Sequence, residues 1–139
     1  HRVEDAPIIG RDDRDIGVAK TQLARTILWN KVSNDTGWNA YLGEARGGPD
    51  VSPYDAPARA TDLSGLPPTY IEVGSVDLFR DEDVAFASTM WACGGDAELH
   101  VWPGGPHGFE FSAPDAAISR GARQAKLDWL GRILTKELA

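Results

Sequence analysis

The stretch from Leu66 to Asp83, LPPTYIEVGSVDLFRDED, constrains what this chain can become more than any other. Leu66-Pro67-Pro68 stiffens the entry, because proline fixes φ and donates no backbone hydrogen bond. Thr69 to Val73 is β-branched and aromatic, which predicts a short buried strand. Gly74-Ser75 lets the chain bend as it leaves that strand. Asp77 then falls just past the strand's carboxyl end, where ligands and chemistry gather in open α/β sheets. Asp81, Glu82 and Asp83 put negative charge where a helix begins, the end its dipole favours. Val84, Phe86, Ala87, Met90 and Trp91 carry the helix from Asp81 to Cys93, and Gly94-Gly95 stops it. Ala97 to Trp102 alternates as a second strand does, with Leu99 and Val101 on one face and Glu98, His100 and Trp102 on the other. Strand, helix, strand in that order predicts a parallel pair joined by a crossover helix.

A long helix follows. Ser112 as cap with Asp115 three residues on resembles a capping box and predicts that helix start. Ile118, Ala122, Ala125, Trp129 and Ile133 form an apolar stripe, widened by Leu127, Leu130 and Leu134, as suits a helix laid on a sheet. Upstream, His1 to Asp15 reads as a solvated loop with a mixed-charge run. Ile16 to Lys31 has the spacing of an imperfect helix, broken by Asn34-Asp35-Thr36-Gly37, and Trp38 to Gly43 reads as a short helix ended by glycine. Arg46 to Asp62, rich in Gly, Pro, Ser and Ala, reads as a long surface connection. Parallel sheets are covered on both faces, so two strands alone do not complete one. The remaining strands are expected from another chain or from the rest of a longer protein. An open strand edge is expected to draw association meanwhile.

Composition narrows the partners. At 139 residues the chain is the size of one domain, and 42% hydrophobic content supports a core. A net charge of −7 argues against nucleic acid or an anionic membrane, since phosphate binding needs clustered Lys and Arg. No apolar run approaches the roughly 18 residues of a membrane span, and no leader is visible, so the cytoplasm is the default location. The first residue is His1 rather than Met, which suggests a processed form or a fragment. Cys93 is the only cysteine, which excludes an intrachain disulfide and a cysteine-based zinc site.

Asp77 and His107 carry the chemistry. Each follows a strand, and one crossover helix separates them, so neighbouring strands would bring both to one edge of the sheet. An Asp accepting the Nδ1–H of a His fixes its tautomer and frees Nε2 to take a proton from a nucleophile. The turn Pro103-Gly104-Gly105-Pro106-His107-Gly108-Phe109 suits a backbone that bends sharply and leaves the ring exposed. Phe109 beside His107 is a candidate pocket wall. No Gly-x-Ser-x-Gly elbow and no HGGG-type segment occurs, so nucleophile and oxyanion hole are absent from this chain. The other candidates have simpler readings. His100 is read as a surface histidine and Cys93 as a packed thiol, and Trp29, Trp38, Tyr41 and Trp91 are read as core or interface. Asp81, Glu82 and Asp83 read as helix-start charges rather than metal ligands, because no His or Cys accompanies them.

The segments LPPTYIEVGSVDLFRDED, ELHVWPG and PGGPHGF, with WNAYLG and SPYDAPARATDLSGLPP, resemble the carboxyl-terminal part of hormone-sensitive-lipase-like carboxylesterases in the α/β-hydrolase superfamily. The resemblance is specific from Leu66 to Phe111 and looser before that. It implies that residues 1–139 are the carboxyl-terminal portion of an α/β-hydrolase domain, incomplete in this chain, with about residues 16–45 associated with the family's cap. It implies that Asp77 and His107 are the acid and base of a Ser-His-Asp triad that hydrolyses carboxylic esters without cofactor or metal. The chain alone is then expected to be inactive. Its expected partners are a small-molecule ester and either the missing amino-terminal half or a second copy. Two alternatives remain open at this point. One is a non-catalytic binding or assembly module; the other is a hydrolase of the same fold acting on amides, lactones or peptides.

Overall fold

The computed structural model describes residues 28–137. Helix α1 (Lys31–Leu42) comes first, then short 3-10 turns at Gly43–Ala45 and Pro57–Arg59. Strand β1 (Thr69–Gly74), helix α2 (Arg80–Ala92) and strand β2 (Ala97–Trp102) form the centre. A one-turn helix α3 (Phe109–Ser112) and the long α4 (Ala117–Glu137) follow. Strands β1 and β2 pair in parallel, from Thr69 opposite Ala97 to Gly74 opposite Trp102, and make a two-stranded sheet among the described residues. This is the strand–helix–strand unit expected.

Alternation gives the sheet two unlike faces. Ile71, Val73 and Leu99 point to the side where α2 packs, with Val73, Leu78, Ala87 and Met90 buried. Tyr70, Glu72, Glu98, His100 and Trp102 point the other way, toward α4. There Tyr70 meets Trp129 with ring centroids 5.7 Å apart, and Lys126 pairs with Glu72 at 2.5 Å. Helix α2 ends as its glycines predict. Gly94 sits at φ +78, its N–H donates to Trp91 O, and the N–H of Gly95 donates to Met90 O, so two orphan carbonyls are satisfied at once.

Two expectations are corrected. First, Asn34-Asp35-Thr36-Gly37 does not break a helix; α1 runs through it. Asn30 caps α1, its side chain accepting from Ser33 N at 3.1 Å, and Lys31 pairs with Asp35 one turn later at 2.5 Å. Of the helix expected over Ile16 to Lys31, residues before 28 lie outside those described, as does the loop expected over His1 to Asp15. Second, Ser112 does not cap the long helix. It ends α3, its hydroxyl donates back to Phe109 O at 3.3 Å, and α4 begins only at Ala117. His100, expected at the surface, keeps 31% of its side chain exposed. Its ring lies between Tyr70, at 5.2 Å, and Trp102, at 5.5 Å, and its Nε2 meets Glu98 Oε1 at 2.9 Å. The stripe of α4 faces inward as expected, with Ala122 buried, but Leu127, Leu130 and Leu134 face outward. No helix among the described residues is long and apolar enough to cross a membrane.

Candidate active site

Two loops leave the same end of the sheet and are laced together. Beyond β1, the N–H of Val76 donates to Gly105 O at 3.1 Å. Beyond β2, the N–H of Gly104 donates to the Ser75 hydroxyl at 2.8 Å. The backbones approach so closely that a Cβ on Gly74 would stand 1.9 Å from Gly105 O. Glycine is required there because only its missing side chain lets the loops meet. Gly108, at φ +66, turns the chain into α3 directly after His107.

This lacing brings Asp77 and His107 together. The Nδ1–H of His107 donates to Asp77 Oδ2 at 3.0 Å. The other carboxylate oxygen, Oδ1, accepts the backbone N–H of Phe79, also at 3.0 Å. Both oxygens are thus engaged, and Asp77 is 5% exposed. The His107 side chain is 40% exposed, and its Nε2 has no hydrogen-bond partner among the described residues. A buried, fixed carboxylate behind a half-open imidazole is an arrangement that can hold one tautomer and pass a proton at Nε2.

Aromatic rings frame the imidazole. Trp29 lies 6.0 Å away and Phe79 stands edge-on at 5.6 Å. Beyond them opens a cavity of about 290 Å3 lined by Trp29, Asn34, Gly37, Trp38, Tyr41 and Phe79. A second cavity, of about 310 Å3, touches Asp77 and His107 and is walled by Phe109, Glu72, Glu110 and Lys126. Phe109 itself is buried, at 7% exposure. Burial opposes the charge of Glu72, but the Lys126 ammonium and the Tyr70 hydroxyl donate to it, outweigh that cost and hold the carboxyl below its usual range. Asp83 behaves oppositely. Burial, then the charges of Asp77 and Glu82, push its carboxyl up to about 7. Among the described residues no three His, Cys, Asp or Glu side chains converge as metal ligands would.

The cavity beside Trp29 was not legible in sequence. Trp29, Trp38 and Tyr41 read there as core or interface, while Tyr41 is exposed and the others half-buried around open space. Their density was the only available signal, since helical spacing alone does not say that a face looks onto a cavity.

The α/β-hydrolase fold family matches residues 7–111. Among solved structures, a bacterial heroin esterase shares 41% identity over 85% of this chain and 37% of its own, with a TM-score of 0.75. Esterase LipW from Mycobacterium marinum shares 30% identity over 80% of this chain and 33% of its own, with a TM-score of 0.70. A hormone-sensitive lipase from a metagenome library shares 25% identity over 90% of this chain and 41% of its own, with a TM-score of 0.74. The chain therefore spans between 33% and 41% of the length of these three proteins. No curated protein sequence matches it.

Proposed function

The chain belongs to the α/β-hydrolase fold family, and on that premise we propose that it supplies the acid and the base of a serine esterase's triad. The observation that carries this reading is the hydrogen bond from His107 Nδ1 to a buried Asp77, with Nε2 left accessible. The nucleophilic serine and the oxyanion-hole N–H groups come from a segment this chain does not contain, the amino-terminal half of the same domain or a second polypeptide. His107 Nε2 takes the serine proton as the hydroxyl oxygen attacks the ester carbonyl. It then gives that proton to the departing alcohol, and repeats the sequence with water to release the acid. Asp77 stabilises the imidazolium formed in each step. Phe109 walls the cavity beside His107, and residues 1–139 form the carboxyl-terminal portion of the domain, with the segment of about residues 16–45 at its cap. No metal or cofactor takes part.

The test uses the intact enzyme and a p-nitrophenyl ester. Asp77→Asn and His107→Ala are each expected to lower kcat by about 10³-fold or more, with both proteins still folded. Near-full activity in either would end the assignment. This chain by itself is expected to hydrolyse no ester.

A further inference from the structure

The His107 imidazole is carried on a turn, so its place depends on what ties that turn to β1. Upstream of the histidine, the N–H of Gly104 donates to the Ser75 hydroxyl at 2.8 Å. Downstream, Gly108 follows directly at φ +66. Glycine restrains the backbone least of all residues, so restraint on that side has to come from farther along the chain. The turn also borders the cavity of about 310 Å3 that is lined by Asp77, His107, Glu110 and Lys126. Close packing among the described residues is therefore incomplete there.

A cluster of three charges reaches across this side. Glu72 is its fixed post on β1. Its Oε2 accepts from the Tyr70 hydroxyl at 3.0 Å and from the Trp102 indole N–H at 3.3 Å. Its Oε1 meets the Lys126 ammonium at 2.5 Å. The same ammonium donates to Glu110 Oε2, and Glu110 lies three residues after His107 in α3. Lys126 comes four residues after the buried Ala122, on the inward face of α4. The two carboxylate side chains are mostly buried, 16% exposed for Glu72 and 15% for Glu110. Glu110 Oε1 is buried with no hydrogen-bond partner among the described residues.

Exposed ion pairs contribute little, but removing the cation from two shielded carboxylates leaves like charges uncompensated. They then separate or take up a proton. Glu110 is the end that moves, because Glu72 is held by two further donors. A shift of Glu110 shifts α3 and, through Gly108, the His107 ring.

We propose that Lys126 is a positioning residue: by bridging Glu72 and Glu110 it keeps the His107 ring in register with Asp77. This rests on the esterase reading above and adds to it a residue of α4 that acts through His107.

The intact enzyme is assayed with a p-nitrophenyl ester, with each substitution made both in the wild type and in His107→Ala. Lys126→Met is expected to lower kcat about tenfold while KM stays within about twofold, as suits a small misplacement of the base. Lys126→Arg keeps a cation that can reach both carboxylates, and is expected to restore kcat to within about threefold. Glu110→Leu cuts the tie without leaving a charge uncovered. The fold is expected to survive it, with kcat falling about as far as in Lys126→Met. In His107→Ala, whose residual turnover does not use the imidazole, neither Lys126→Met nor Glu110→Leu is expected to cost anything further. Equal losses in both backgrounds, or unchanged kcat in Lys126→Met or Glu110→Leu, would overturn the proposal and leave the esterase reading standing. If His107→Ala keeps near-full activity, the esterase reading fails instead. The ring's place is then read by NMR from the downfield proton signal of His107 Nδ1–H bonded to Asp77. Its presence in wild type and Lys126→Arg and its loss in Lys126→Met support the bridge; the same spectrum in all three rejects it.

Discussion

Asp83 shows how one residue behind the site can tie stability to pH. Its carboxyl is pushed up to about 7 by burial and by the charges of Asp77 and Glu82, from an ordinary 3.8. Between those two values the folded state keeps a proton that the unfolded chain has given up. Stability from this group is therefore greatest at the acid side of the window, falls as pH rises toward 7, and stays lost above. One proton is at stake, so the slope is at most about 1.4 kcal/mol per pH unit. Asp83→Asn cannot lose that proton. Denaturant unfolding at pH 5, 6 and 7 is expected to show wild type losing stability relative to the variant at each step; parallel curves would contradict this origin for the shift. Gly74 poses a steric question at the same scale. The group that a Cβ would strike is backbone, Gly105 O at 1.9 Å, and cannot rotate away. Gly74→Ala must part the two loops that hold Asp77 and His107. A destabilisation of about 1–3 kcal/mol is expected from urea unfolding, together with a fall in kcat in the intact enzyme.

The elements were unequally readable. Strands β1 and β2 and helix α2 were legible because Thr69–Val73 and Ala97–Trp102 are bounded by proline and glycine, and α2 carries its apolar spacing to Gly94-Gly95. The meeting of Asp77 with His107 was legible for the same reason, since parallel neighbours connected by one helix deliver both residues to one edge. Helix α1 was obscured by its own composition. Asn, Asp, Thr and Gly in succession are poor helix formers in isolation, and the Asn30 cap and the Arg46 pairing with Asp35 at 2.6 Å act outside that window. The stacking of His100 between Tyr70 and Trp102 was not legible, because alternation assigns a face without revealing how the rings on it lie against one another. Gly37 puts the α1 account to the test. A Cβ there would meet nothing closer than the Trp29 ring at 3.9 Å, an ordinary contact. Gly37→Ala is therefore expected to stabilise the protein by about 0.5–1 kcal/mol through helix propensity, read as a higher urea midpoint at constant slope.

At the scale of the whole molecule, the described residues leave more apolar surface uncovered than a self-sufficient domain shows. Leu127, at 63% exposure, shares the outer side of α4 with Leu130 and Leu134, and Phe111, at 91%, stands beside the site. Among the described residues the sheet has two strands, so each offers an outer edge of backbone groups to a further strand. Solved relatives of the same fold are roughly two to three times longer, the chain covering 33% to 41% of them. The net charge of −7 opposes self-association but is screened at ordinary salt, whereas apolar burial is not. Association is thus expected to prevail. The purified chain should bind a hydrophobic dye and elute in sizing experiments as species that grow with concentration. Co-expression with the serine-bearing segment of the enzyme should replace them by one defined complex, lower the dye signal and bring ester hydrolysis with it. A monodisperse monomer that binds no dye at high concentration would mean that these surfaces are already satisfied, and the search for a complementary segment would lose its physical motive.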